Sequence, residues 1–227
     1  MQPYLFPYLG YVQLLRAADT FVLYDDAQFM KGGWINRNKI LGQGGTQFIT
    51  LNLQGASANK AINEVQVGNN GHKLCKTIRQ TYAQAKFKTE AMDFVQTSLM
   101  VKEKNLARLA GNSLISLAAR LHLPTRFLWS SELGRDTSLS GQDAVLDICS
   151  RLGASHYVNA EGGKELYSAG RFVSAGINLS FLIHDPVPYP QTRSVQAFEP
   201  RLSVVDVLMN VGMNGLRGKL SEYSLVS

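Results

Sequence analysis

Residues 155–184, SHYVNAEGGKELYSAGRFVSAGINLSFLIH, decide the fold class of this chain. SHYVN at 155–159 and INLSFLIH at 177–184 have the composition of strands, and the glycine-rich EGGKELY at 161–167 predicts a turn into a helix. A strand, a helix and a second strand in this order are typical of a parallel βαβ unit. The stretch therefore predicts an α/β protein with a parallel sheet.

The residues before this stretch extend the alternation. TRFLWSS at 125–131 predicts a strand, and GQDAVLDICSRLG at 141–153 predicts a helix. Ser140 is a suitable N-cap for that helix, and Gly153 is its C-terminal glycine. Strand, helix, strand, turn-helix and strand follow one another after residue 125.

The first quarter of the chain also alternates, but it starts with a helix. Apolar residues recur at helical spacing over 8–18, and TFVLY at 20–24 predicts a short buried strand. QFITLNL at 47–53 and INEVQV at 62–67 alternate as half-buried strands do. The Gly-, Asn- and Lys-rich residues 30–46 predict a loop.

The middle of the chain is predicted to be helical. Residues 72–84 are predicted to form one helix. The helical pattern over residues 89–122 is longer than most helices of globular proteins, so we expect a break near 100–104. A last helix is predicted near 202–211. These elements predict a Rossmann-like, mostly parallel sheet with helices on both faces and a helical insertion at about 71–123 over the carboxyl edge.

The chain is predicted to form one α/β domain over residues 1–227, and the competing interpretation is two domains divided near residue 70. Residues 2–7 are too proline-rich for a central strand. We therefore expect a short strand ahead of Gln2 that is absent from this sequence. The alternative is that residues 1–7 form an ordinary N-terminal arm.

Composition limits the class of protein. With 45% hydrophobic and 18% charged residues, the chain is neither disordered nor fibrous. No apolar run approaches the length of a membrane span, and the N-terminus lacks the basic region of a signal peptide. Cys75 and Cys149 lie far apart, which indicates a reducing, cytoplasmic location without a disulfide framework.

The net charge of +6 is dispersed, so nucleic acid is not an expected partner. An anionic or sugar-phosphate substrate fits the charge, and peripheral contact with a membrane surface is compatible with it. The four histidines are isolated, so we expect no metal, and no motif calls for a cofactor. Cys149 lies on the apolar side of a predicted helix and His184 lies at a strand end, so both are expected to be structural.

The densest candidate site is YDDAQFMKGGWINRNKI at residues 24–40. Asp25 and Asp26 follow a strand at the end where α/β sheets bind ligands, so either could be a general base. The other candidates supply cations, amides and an aromatic face for phosphate, hydroxyls and stacking. They are Lys31 and Arg37 as further catalytic residues and Gln28, Trp34, Asn36 and Asn38 as substrate-binding residues. The alternative is a solvated turn in which Asp and Asn cap the backbone and Trp34 fills the core.

Two further segments are candidates for anion binding. QPYLFPYLGY at 2–11 leads into a helix N-terminus, and Gln2 and Tyr11 are its candidate binding residues. Gly162, Gly163 and Lys164 follow a strand and could present backbone N–H groups to an anion. The alternatives are a hydrophobic arm and a turn that merely requires glycine.

Several of these motifs resemble the WbqC-like protein family. The resemblance is carried by QPYLFPYLGYVQLL, DTFVLYDDAQF and GGWINRNKIL, and continues in TRFLWSSEL, LGASHYVNAEGGKELY, YPQ and the Leu-Ser-x-x-Asp of residues 202–206. It covers nearly the whole chain, and it implies a short apolar strand ahead of the QP. The sequence departs from the family pattern at Asn159-Ala160, where a Ser-Gly pair is common.

The resemblance implies a role in bacterial O-antigen or other surface-polysaccharide biosynthesis. The leading hypothesis is a transferase that adds an acyl or aminoacyl group to a nucleotide- or lipid-linked amino sugar. A fainter likeness of the proline-rich loop to the HIGH loop of small nucleotidyltransferases gives the alternative of nucleotidyl transfer, although PYLGY at 7–11 has no histidine. A non-catalytic sugar- or nucleotide-binding module is the third possibility. In each case we expect residues 2–11, 24–38 and 161–164 to converge on one pocket.

Overall fold

A computed structural model describes residues 1–185, 188–191 and 197–227 of the chain, which adopt a mixed α/β fold. Its α-helices are α1 (Leu9–Ala17), α2 (Gly71–Thr81), α3 (Lys88–Leu99), α4 (Leu106–Arg120), α5 (Gly141–Arg151), α6 (Ala169–Ser174) and α7 (Val204–Gly218). Its strands are β1 (Thr20–Leu23), β2 (Arg37–Gly42), β3 (Gly45–Thr50), β4 (Leu53–Gln54), β5 (Gln66–Val67), β6 (Arg126–Trp129), β7 (His156–Ala160), β8 (Asn178–His184) and β9 (Tyr223–Val226). Mixed α/β composition is thus confirmed.

The strands of the described ranges are distributed over four small sheets. β7 and β8 are parallel, as the strand–helix–strand order predicts, and β1 and β6 are parallel as well. β9 adds to β8 in the antiparallel sense, β2 and β3 form a hairpin, and β4 pairs with β5. The parallel pairs matter for function because the carboxyl ends of both strands lie on the same side of the sheet.

Residues 37–42 and 62–64 differ from the sequence prediction. Residues 37–42, predicted as loop, form β2, in which buried Asn38 and Ile40 alternate with half-buried Arg37 and Lys39. An asparagine at a buried position hides this alternation from a hydrophobicity pattern. The predicted strand at 62–67 begins instead as a 3-10 helix over Ile62–Glu64, because the Glu64 carboxylate accepts a hydrogen bond from the Ala61 N–H at 2.7 Å.

The predicted break in the long helical region is confirmed. α3 ends at Leu99 and α4 begins at Leu106, where the Asn105 side chain caps the helix by accepting from Arg108 N–H at 3.0 Å. α2, α3 and α4 contribute to the same hydrophobic core as the N-terminal arm and α7. The Phe94 ring of α3 meets the Phe6 ring edge-on at 5.5 Å, for example.

The N-terminal arm, residues 1–8, is fixed by backbone hydrogen bonds. The Met1 ammonium donates to Val22 O at 2.9 Å, and Tyr24 N–H donates to Met1 O at 2.8 Å, so the arm starts beside β1. Further along, Phe6 has a φ of 49°, a left-handed conformation that costs energy in a residue with a side chain. The whole arm therefore reaches the start of α1 along a defined path.

The strained Phe6 backbone is stabilised from two sides. Its carbonyl accepts hydrogen bonds from Asn38 Nδ2 at 2.8 Å and from Ser203 Oγ at 2.7 Å. Ser203 also caps α7 by accepting from Val205 N–H at 3.2 Å. The hairpin, the arm and the last helix are thus joined at one buried carbonyl. Of the described helices, none is both long and apolar enough to cross a membrane.

Candidate functional site

The carboxyl ends of β1 and β6 bring two pairs of polar residues together. In this parallel pair Leu23 lies opposite Trp129, so the residues that follow each strand leave the sheet side by side. Asp25 and Asp26 follow β1, and Ser130 and Ser131 follow β6. This arrangement is the strand-end site that the sequence predicts for the two aspartates.

Asp25 is buried, with 1% of its surface exposed, and is surrounded by donors. One carboxylate oxygen, Oδ1, accepts from Ser130 Oγ and from Ser131 N–H, both at 3.0 Å. The other, Oδ2, accepts from Ser131 Oγ at 2.7 Å and from Asn63 Nδ2 at 3.5 Å. This many hydrogen bonds compensate the cost of burying a carboxylate.

Asp26 is more accessible, with 14% of its side chain exposed, and it pairs with Arg135. Arg135 Nε donates to its Oδ2 at 2.6 Å, and the Ser130 hydroxyl donates a short hydrogen bond to its Oδ1. The guanidinium also lies 5.2 Å from the centre of the Tyr24 ring. We call Asp25, Asp26, Ser130, Ser131 and Arg135 the carboxylate site.

The Ser130 hydroxyl connects the two carboxylates. Its oxygen accepts from Asp25 N–H at 3.1 Å, and its single proton faces both Asp25 and Asp26. Ser130 is fully buried, whereas Ser131 is exposed. The site therefore combines a buried network with one exposed hydroxyl.

Tyr24, directly after β1, lies beside Arg135 of the carboxylate site, whereas Tyr8 of the arm lies near other charged side chains. Burial raises the pKa of Tyr24, Arg135 lowers it, and Asp26 and Tyr167 raise it further. Burial likewise raises the pKa of Tyr8, whereas Arg201 lowers it and Glu161 raises it. Tyr24 and Tyr167 thus interact electrostatically, and so do Tyr8 and Glu161, while the convergence of the arm, the loop and the turn on one pocket stays a prediction.

The cations and the aromatic residue of the predicted loop lie at the start of β2 and in the turn before it. Arg37 Nε donates to Gly33 O at 3.1 Å, and its Nη2 donates to Gly32 O. Its guanidinium lies 4.8 Å from the centre of the Phe48 ring, and the Trp34 ring lies 6.1 Å from the same ring. Lys31 is exposed in the turn before them. Their position in one pocket with Asp25 stays a prediction.

The predicted amide ligands support the backbone. Asn36 Nδ2 donates to Leu51 O at 2.8 Å, and Gln28 Nε2 donates to Ala58 O at 2.6 Å. Asn38 is the residue that donates to the Phe6 carbonyl. Each amide thus has a structural partner in this conformation.

The two remaining predicted segments have mixed environments. In the arm, the buried Tyr11 hydroxyl donates to Gln2 O at 2.6 Å, and burial raises its pKa well above the ordinary value. In the 3-10 helix Glu161–Leu166, Gly162 and Lys164 are exposed. Gly163 is buried, and a Cβ at this position would lie 2.8 Å from Asn159 Nδ2. The glycine at 163 is therefore required by close packing, and Lys164 is open to solvent.

Sequence reasoning did not select Ser130, Ser131, Arg135 or Asn63. The two serines end a predicted strand, and this strand-end position is the same signal that selects Asp25. Arg135 and Asn63 carry no local signal, because their partners lie 109 and 38 residues away.

Histidine and cysteine residues lie outside the carboxylate site. His184 Nδ1 lies 2.9 Å from Gln13 Oε1, and burial lowers the pKa of its imidazole. Cys149 is buried, and burial raises its thiol pKa to about 11. Within the described ranges, no three His, Cys, Asp or Glu side chains are grouped so as to hold a metal ion.

The fold and the carboxylate site define a mixed α/β protein with an acidic strand-end site. The chain belongs to the WbqC-like protein family, whose model matches residues 2–217. It is 27% identical over 213 residues to the uncharacterized protein Rv1507c of Mycobacterium tuberculosis, an alignment that covers 91% of this chain and 90% of that relative. No solved structure matches the chain.

Proposed function

We propose that this protein is a transferase that tailors a precursor of a bacterial surface polysaccharide, such as an O-antigen, in the cytoplasm. It would add an acyl or aminoacyl group to a nucleotide- or lipid-linked amino sugar at the carboxylate site. Membership of the WbqC-like family supports the biological context. The geometry of the carboxylate site supports the chemistry.

The observation that carries the proposal is the unequal environment of two adjacent aspartates. Asp25 is held by four donors from Ser130, Ser131 and Asn63, so it is committed to positioning. Asp26 is partly exposed and has a guanidinium beside it. A partly exposed carboxylate next to a fixed cation can take up a proton while the cation stabilises developing negative charge.

The transfer step assigns Asp26 as the general base. The substrate amine attacks the carbonyl carbon of an activated acyl donor such as a thioester, forming the C–N bond, and Asp26 takes the proton that the nitrogen loses. Arg135 donates hydrogen bonds to the tetrahedral oxyanion. Collapse of the oxyanion breaks the bond to the leaving group, which receives the proton back from Asp26.

The fold hypothesis belongs to the same proposal. We retain the Rossmann-like interpretation because β1–β6 and β7–β8 are parallel pairs and because β7 is connected to β8 through helical residues. Ligands of such folds bind beyond the carboxyl ends of the strands. Lys164, exposed in the turn after β7, would contact the phosphate of a sugar nucleotide or lipid-linked sugar there, with Gln2 on the opposite side.

The test is a product assay by mass spectrometry. The purified protein is incubated with amino-sugar nucleotides and acyl or aminoacyl donors, and the acceptor is expected to gain the mass of the acyl group. Asp26→Asn should lose this product at least about a hundredfold, because general-base catalysis contributes that much or more. Asp93→Asn is the matched control, because Asp93 forms an ion pair with Arg120 on the surface, away from the site.

Binding separates an enzyme from a binding module. Ligands raise the melting temperature of a protein that binds them, so a thermal-shift series measures affinity independently of turnover. Asp26→Asn is expected to retain the shift and lose the product. A ligand that is bound but never modified would support a non-catalytic module, and a nucleotidylated product would support the alternative transfer.

A further inference from the structure

The β2–β3 hairpin and the turn before it expose large apolar side chains that the carboxylate site does not use. Met30, Trp34 and Phe48 are 64%, 43% and 49% exposed. Removing large apolar side chains from water lowers the free energy. A contiguous group of such side chains that stays exposed therefore marks an interaction surface. Together with Lys31, Arg37 and Lys39 we call them the hairpin patch.

The hairpin patch has a defined shape. The turn at its start is closed by a hydrogen bond from Gly33 N–H to Met30 O at 3.2 Å, and Arg37 holds the Gly32 and Gly33 carbonyls. Arg37 and Lys39 both lie over the Phe48 ring, at 4.8 and 5.6 Å from its centre. Cations and aromatic rings are therefore presented side by side.

The charged residues of the chain segment that carries the patch are all of one sign. Residues 27–63 contain Lys31, Arg37, Lys39 and Lys60 and not one Asp or Glu. A surface that binds neutral sugar needs stacking rings and amides but not this excess of cations. Exposed apolar side chains among cations are instead complementary to an anionic bilayer, which offers acyl chains below negative headgroups.

We propose that the hairpin patch docks this protein on an anionic membrane surface. Phe48, Trp34 and Met30 would enter the interfacial region, where Trp is favoured, and Lys31, Arg37 and Lys39 would face lipid phosphates. This role is independent of the transfer chemistry, since it needs neither Asp26 nor a sugar substrate.

Vesicle co-sedimentation with the full chain tests the proposal. We expect binding to vesicles that contain phosphatidylglycerol and little binding to pure phosphatidylcholine, with the affinity falling at high salt. Lys39→Glu should weaken binding about fivefold or more, and Phe48→Ser should weaken it by a similar factor. The matched controls Lys102→Glu and Val173→Ser change an exposed lysine and an exposed apolar residue outside the patch and should bind as the native chain does.

Tryptophan fluorescence provides a readout that does not depend on the folding of those variants. Insertion of Trp34 should shift the emission of the native chain to the blue on addition of phosphatidylglycerol vesicles, and brominated lipid should quench it. Trp34→Phe should abolish the shift, since Trp129 is half-buried and packs against Arg108 and Gly111 of α4, outside the hairpin patch. Three outcomes would overturn the proposal. The protein could bind neutral vesicles equally well, Lys39→Glu and Phe48→Ser could leave binding unaffected, or the protein could bind an anionic polysaccharide but no vesicle.

Discussion

Asp25 shows at the scale of one residue how the carboxylate site is held together. Asp25→Asn keeps the size of the side chain but turns one oxygen into an amide that faces donors from Ser131 or Ser130. Because the site is buried, we expect a loss of about 3 kcal/mol in the free energy of unfolding. Urea denaturation measures it.

The control for Asp25 is an exposed carboxylate with a single partner. Asp143 accepts from Arg171 at 2.6 Å, and both side chains are about half exposed. Asp143→Asn is expected to change the free energy of unfolding by less than about 1 kcal/mol. Equal effects of the two substitutions would show that the network around Asp25 is not stabilising.

The sequence predicts that Asp25 and Asp26 lie at the end of a strand, as they do, but it does not predict the contacts of the polar residues that follow them. Asn38 looks like a sugar ligand in sequence, yet its amide is bonded to the Phe6 carbonyl. Arg37 looks like a phosphate ligand, yet it donates to the carbonyls of its own turn. An amide or guanidinium serves a backbone carbonyl as well as a substrate, and only the folded chain selects between them.

At the scale of an element, the start of α7 also depends on a polar side chain that is bonded within the protein. Asp206, in its first turn, accepts hydrogen bonds from Tyr82 after α2, from Tyr189 at 2.8 Å and from Asn210 at 3.2 Å. Tyr189 and Asp206 belong to the two late motifs, YPQ and Leu-Ser-x-x-Asp. One buried carboxylate therefore joins both motifs to the middle helices.

The stability of this junction should depend on pH. Burial raises the pKa of Asp206 above its ordinary value, and the hydrogen bonds from Tyr82 and Tyr189 lower it by less. A raised folded-state pKa favours the folded state most at low pH, and this stability is lost as pH rises through the unfolded and folded pKa values. Donors that hold the ionised carboxylate reduce that loss.

Tyr189→Phe removes one such donor. The cost in unfolding free energy is therefore expected to be about 1 kcal/mol larger near pH ~8 than near pH ~4, where Asp206 is more protonated. Urea titrations at the two pH values test this, with Tyr223→Phe on β9 as a control for removal of a hydroxyl. A cost for Tyr189→Phe that does not change with pH would show that Asp206 is in one protonation state throughout.

Element prediction succeeded where apolar periodicity decides and failed where a polar residue is buried. The helices of residues 71–120 follow their leucine spacing, and the interruption between α3 and α4 lies where their length required one. β2 was predicted as loop because its buried positions include Asn38. The pairing of β1 with β6 depends on contacts between residues about a hundred positions apart, which no local pattern contains.

At the scale of the whole molecule, the interpretation as one domain predicts a single unfolding transition. The region after residue 70, the alternative boundary, is tied to both ends of the chain: Phe94 packs on Phe6, and Phe87 N–H donates to Met209 O at 3.1 Å. One hydrophobic cluster includes residues from Leu5 to Leu220. Because removing either part would expose this cluster, neither part should remain folded alone.

Urea unfolding followed by two probes measures this cooperativity. Tryptophan fluorescence reports Trp34 and Trp129, and far-ultraviolet circular dichroism is dominated by the helices, of which α2 to α7 lie after residue 70. The two transitions should coincide in midpoint and slope, since both report the same loss of the shared core. Two results would instead support two domains: a helical signal that persists after the fluorescence change, or a stable proteolytic fragment that starts near residue 70. Either result would mean that the helices fold independently of the core that holds the carboxylate site.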